Sequence, residues 1–96
     1  MLVIWEAGWG LKVRDQAETE VVNAHGALLR LDTALPAGKQ IELLEPRSNE
    51  SKSARVVWSR RELGGVAQAG VELIMPSETF WGIYIPIEDA GVSRVF

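Results

Sequence analysis

The chain predicts an all-β fold, a barrel or sandwich of short strands in a single domain spanning residues 1–96. Three observations predict it. Apolar and polar residues alternate with period two in several short segments. Gly, Pro, Asn and Asp punctuate the intervals between those segments. No segment sustains the 3.6-residue period of a long amphipathic helix. The barrel and its closing turn are expected to occupy 1–90, and 91–96 to form a loosely held tail.

Taken in order, residues 2–5 form a short apolar strand that ends at Glu6-Ala7-Gly8. Residues 9–14 follow as a second strand, with Trp9, Leu11 and Val13 alternating against Gly10, Lys12 and Arg14. A polar turn at 15–18 leads to the central stretch, TEVVNAHGALLRLD. There an approach strand over 19–22 meets a tight corner at Asn23-Ala24-His25-Gly26, and a strand over 27–31 leaves it. That strand places Ala27, Leu29 and Leu31 on one face and Leu28 and Arg30 on the other. Asn23 and Gly26 are residue types that tolerate the left-handed backbone expected at such a corner, which would expose His25 and free backbone N–H groups.

A Pro/Gly loop at 33–38 precedes a strand over 39–45, with Ile41 and Leu43 on one face, and Pro46 stops it. Residues 54–60 alternate most clearly: Ala54, Val56 and Trp58 point one way and Arg55, Val57 and Ser59 the other, which makes Trp58 a core residue. A turn at 61–65 returns the chain through a long strand over 66–75, in which Gly70 marks a bulge or a close backbone approach. Ser77 is the expected N-cap of a short helical turn through Trp81, and Gly82 and Pro86 prevent it from extending.

Composition narrows the functional classes. Hydrophobic residues at 47% and charged residues at 24% belong to a soluble globular chain. The absence of cysteine excludes disulfides, thiolate metal sites and thiol catalysis. A net charge of -3 is wrong for non-specific binding to phosphate backbones, so no DNA or RNA partner is expected. No apolar run reaches the ~20 residues of a membrane span, and the first ten residues lack signal-peptide character, so a cytoplasmic protein without membrane insertion is expected. One histidine, no Gly-x-Ser-x-Gly elbow and no ligand spacing around His25 leave neither a hydrolase nor a metal site to predict. Glu88 and Asp89 are adjacent in a loop-like segment, poor geometry for paired acid/base work. The chain is read as a non-enzyme with no cofactor.

Four segments, TEVVNAHGALLRL, LPAGKQIELL, SARVVWS and AGVELIMPSETFWGIYIP, fall in an order that resembles the PilZ domain, a bacterial family known for binding cyclic di-GMP. The resemblance covers residues 19–87. It implies a six-stranded antiparallel β-barrel with a short helical turn near the C-terminus, and a role in second-messenger signalling with cyclic di-GMP as ligand. PilZ receptors pair an Arg-x-x-x-Arg motif with an Asp/Asn-x-Ser-x-x-Gly corner. Two guanidinium groups clamp phosphates and stack on guanine, while the corner supplies short polar groups. Here Gly26 matches the motif's glycine, Val21 stands at the Asp/Asn position and Asn23 at the Ser position. No Arg-x-x-x-Arg occurs in the chain.

Two functions follow. In the first, a diverged receptor site gathers Asn23, His25 and Gly26 with Lys12, Arg14 or Arg30. The bland readings stand beside it: His25 and Asn23 as turn residues, and exposed arginines as a solvated face. In the second, a degenerate barrel docks a protein partner through its Trp-rich ends, with Trp5, Trp9 and Trp81 as candidate surface. The missing arginine pair and the negative charge favour a weak or lost dinucleotide site.

Overall fold

The structure, a computed structural model, describes residues 1–62 and 64–87. The expectations for 91–96 and for Glu88 and Asp89 lie outside the described residues. Seven strands form: β1 (Leu2–Glu6), β2 (Lys12–Gln16), β3 (Glu18–Asn23), β4 (Gly26–Leu31), β5 (Gln40–Glu45), β6 (Glu50–Arg61) and β7 (Ala67–Leu73). All pairings are antiparallel, in one sheet of order β2-β1-β5-β6-β7-β4-β3. The all-β expectation is met, with seven strands in place of six and no helix among the described residues.

The sheet curls into a half-barrel. Its two edge strands, β2 and β3, are consecutive in sequence and separated only by buried Ala17. There the chain also binds the start of β1: Ala17 N donates to Met1 O at 2.8 Å. Connecting the edges through one residue limits the exposed edge that would otherwise invite pairing with another chain.

The concave face holds the core. Ala27, Leu29 and Leu31 are buried from β4, Ile41 and Leu43 from β5, Ala54 and Val56 from β6, and Ala69, Val71 and Leu73 from β7. Val3, Leu35, Phe80 and Trp81 complete it. Period-two placement of branched and small apolar residues is what selects this face, because a one-residue slip would turn every one of them to solvent.

Such a slip occurs locally in two pairs, in β3–β4 between Thr19 and Val21 and in β6–β7. The β6–β7 register shifts between Val56 and Trp58, so Val57 is an extra residue and Trp58 lies opposite Gly70. Beyond the bulge the faces exchange. Ser59 pairs with buried Ala69 on the core side, and its hydroxyl donates to Leu35 O at 2.5 Å. Trp58 therefore leaves the core, half-buried on the convex face, with the Arg60 guanidinium 6.0 Å from its ring centroid. Gly70 does mark irregularity, but the bulge itself is on the partner strand.

Three further expectations change. The polar turn expected over 15–18 shrinks to Ala17, because β2 runs through Gln16 and β3 begins at Glu18. Residues 9–11 belong to the β1–β2 turn, not to a strand, and β2 begins at Lys12. Residues 77–81 form bends and a turn instead of a helical turn, although Ser77 Oγ does accept from Phe80 N at 3.1 Å and so caps the turn as its residue type implies.

Candidate functional site

The β3–β4 corner is built from its own polar atoms. Asn23 Oδ1 accepts from His25 N at 2.8 Å and from Gly26 N at 3.0 Å, an Asx-type closure that turns the chain within four residues. Neither Asn23 nor Gly26 adopts a positive φ, so the left-handed corner expected from their types is not used. The side chain of Asn23 does the turning instead.

The corner carbonyls are occupied as well. Asn23 O accepts from Trp81 Nε1 at 2.8 Å, Ala24 O from Ser77 N at 2.9 Å and His25 O from Leu73 N at 2.7 Å. The segment after β7 thus lies over the corner and is fastened to three successive residues. Trp81 is 6% exposed and packs edge-on against Phe80, with ring centroids 4.9 Å apart. It is a core residue, which corrects its assignment to a partner surface. A buried indole N–H needs an acceptor, and the corner supplies one.

The cations named from sequence lie on two strands, Lys12 and Arg14 on β2 and Arg30 on β4. Arg30 shares the convex face of β4 with Gly26 but stands four residues away, about 13 Å along an extended strand. Its Nη2 lies 3.5 Å from Glu20 Oε2 and 3.7 Å from Glu62 Oε1, so acidic neighbours hold it. Gln68 extends this network, donating to Glu20 and accepting from Arg60. Arg14 pairs across from Ile4 on β2. Lys12 lines a separate cleft beside β1. Asn23, His25 and Gly26 are the members that the structure brings together.

Between Arg30 and the corner, the convex face is apolar. Register places Val21, Leu28, Gly70 and Trp58 in one row across β3, β4, β7 and β6. Val21, the residue at the Asp/Asn position of the PilZ motif, therefore contributes a half-buried apolar side chain to that row.

Among the described residues, cavities also open away from the Asn23–Gly26 turn. The first, about 400 Å³, opens where β1 leaves β5: the strands pair from Leu2 to Ile4, then part. Trp5, Glu6, Lys12, Lys39, Ile41 and Glu42 are among its walls, and Lys39 Nζ bridges it to Glu6 O at 2.6 Å. The second, about 430 Å³, lies between Trp81, Val22 and the Glu45–Arg47 pair. Glu45 is 6% exposed and accepts from Arg47 Nε at 2.9 Å and from Arg47 N at 3.1 Å. The Arg47 hydrogen bond holds the Glu45 carboxyl below its ordinary pKa against the opposing effect of burial, and Glu45 in turn raises that of Arg47. The period of Ile41 and Leu43 continues to Glu45, so its inward position was legible; its partner two residues on was the missing half. Among the described residues, no group of three His, Asp or Glu side chains is placed to hold a metal ion.

Trp5 is half-buried, lines the first cleft and packs against the core. Trp9 is 102% exposed at the tip of the β1–β2 turn. Of the three tryptophans considered as partner surface, Trp9 alone is fully presented to solvent.

Compared with known proteins, the chain matches no family model, no curated protein and no solved structure.

Proposed function

We propose that this chain is a PilZ-like bacterial regulatory barrel, acting in the cytoplasm, whose cyclic di-GMP site is degenerate and which works chiefly by docking a protein partner. The order of the four PilZ-like segments supports the family reading, and the antiparallel sheet with the corner between β3 and β4 is compatible with it. Fold-level likeness carries a function only by association, so the choice between receptor and docking module is argued from the site.

One observation carries that choice. The corner that would receive an anion has its His25 and Gly26 N–H groups turned onto Asn23, and its carbonyls turned onto Leu73, Ser77 and Trp81. Donors already satisfied internally offer a phosphate little, because binding would exchange one hydrogen bond for another. The cations that would supply charge are divided between two strands, Lys12 and Arg14 on β2 and Arg30 on β4, and Glu20 and Glu62 stand beside Arg30.

Calorimetric titration of cyclic di-GMP into the purified chain, at low and moderate salt, tests this reading. The expected result is no heat of binding at ligand concentrations of roughly 0.1 mM. Micromolar, salt-sensitive affinity that falls in Arg14→Ala would reinstate the receptor.

A further inference from the structure

The tip of the β1–β2 hairpin is a convex apolar knob. Gly8, Trp9 and Gly10 have φ of +96°, +55° and +75°, three left-handed residues in succession. Two hydrogen bonds clamp the turn, from Ala7 N to Leu11 O and from Leu11 N to Gly8 O, each 2.9 Å. Trp9 stands at its apex, and Leu11 beside it is exposed as well. A bulky side chain in the left-handed region is an outlier for an ordinary turn. Here the two glycines leave the indole no neighbouring side chain to rest on.

A cleft of about 400 Å³ opens at the same end of that hairpin, large enough for an indole. Ile4, Trp5 and Ile41 provide apolar wall. Lys12 provides an ammonium group of the kind that lies over an aromatic face, and the Lys39 ammonium is held at the wall by Glu6 O. Glu6 and Glu42 provide acceptors for an indole N–H. Trp9 does not fill the cleft of its own chain, since it is fully solvent-exposed.

We propose that this cleft is a socket for an aromatic side chain, and that its occupant is Trp9 of a second copy of the chain. Knob and socket belong to one hairpin, so a two-fold axis beside β1 lets each copy insert its Trp9 into the other, the reciprocal arrangement of an isologous dimer. Each indole can bury on the order of 150–250 Å². Two such insertions with Leu11 reach only the low end of specific interfaces, so association is weak, with a dissociation constant of roughly 0.1 mM. The surface uses none of the corner residues and stands independently of the dinucleotide reading.

Sedimentation equilibrium of the whole chain, from about 10 μM to about 1 mM, bracketing that dissociation constant, tests it. The wild type is expected to dimerise across this range. Trp9→Ala, which removes the knob, and Ser53→Trp, which fills the socket, are each expected to weaken self-association at least about tenfold, with unchanged circular dichroism. Mixing the two variants recreates one knob and one open socket, so a heterodimer exceeding either homodimer is expected. A wild type that stays monomeric throughout, or a dimer indifferent to Trp9→Ala, overturns the proposal. Monomers that float with phosphatidylserine vesicles only while Trp9 is present would likewise overturn it and assign the tip to a lipid surface.

Discussion

The β3–β4 corner and the β1–β2 tip are both tight reversals between neighbouring antiparallel strands, yet they are finished in opposite ways. At the corner, Asn23 replaces a left-handed backbone with a side-chain acceptor, and the segment from Leu73 to Trp81 covers what remains. At the tip, the backbone itself takes the left-handed path through three residues, and the bulkiest of them is left bare. Polar atoms satisfied inside a fold contribute stability and leave little for a ligand. An apolar side chain held out from the fold contributes almost nothing to stability and is available to a partner. Under the proposed function the first turn serves the scaffold, and the second is where interaction is to be sought.

Substitutions can break this contrast, and the largest effect is expected at the corner. Trp81→Ala removes a buried indole, its bond to Asn23 O and its contact with Phe80, and is expected to cost about 3–5 kcal/mol in urea denaturation. Next comes Asn23→Ala. It strands the N–H groups of His25 and Gly26, at a cost of about 1–3 kcal/mol by the same measurement. A loss no greater than that of a surface substitution would mean that water reaches the corner and that its donors are open to a ligand after all.

Gly82→Ala probes the residue just past Trp81. Gly82 has φ +88°, and an added Cβ would stand 2.9 Å from Arg47 Nη2. The arginine tip can move aside, so backbone strain of about 1 kcal/mol is the expected cost, read from the thermal midpoint. The Glu45–Arg47 pair beneath it gives a pH signature. Glu45 has a lower pKa folded than unfolded, so its contribution is fully present above the unfolded carboxylate value. It is lost as pH falls through the lowered folded value. Glu45→Gln should flatten that part of the acid-denaturation profile, while the wild type slopes.

The smallest effect on stability is expected at the tip. Trp9→Ala should stay within about 0.5 kcal/mol of the wild type, because nothing in the fold rests on that side chain. A larger loss would mean that the tip, like the corner, is part of the scaffold.

Much of the core was legible along the chain. Ala27, Leu29 and Leu31, then Ile41 and Leu43, then Ala54 and Val56 alternate with polar residues and are buried as that alternation requires. Trp58 follows the same alternation and is not buried with them, because the extra residue Val57 exchanges the faces of β6. A bulge is defined by two strands, and one strand read alone gives no sign of it. Similarly, the glycines around Trp9 signalled a turn, but the continuing alternation of Trp9, Leu11 and Val13 outweighed them in a local reading.

The candidate site divides along the same line. Asn23, His25 and Gly26 are neighbours in sequence, and their corner formed where its residue types suggested. Whether its atoms were free depended on Leu73, Ser77 and Trp81, up to 58 residues away. Lys12 and Arg14 stand two residues apart on β2, whereas Arg30 lies on β4 with Glu20 and Glu62 beside it.

Local pattern along the chain sets the all-β class, the inward face of most strands and the place of the corner. Each of these follows from side-chain period or from a turn residue acting on its immediate neighbours. Long-range packing makes Trp81 core, leaves Trp58 and Trp9 outside it, and parts β1 from β5 to open a cleft. Those outcomes depend on register between distant strands and on where a buried polar atom finds its partner, which no local pattern encodes.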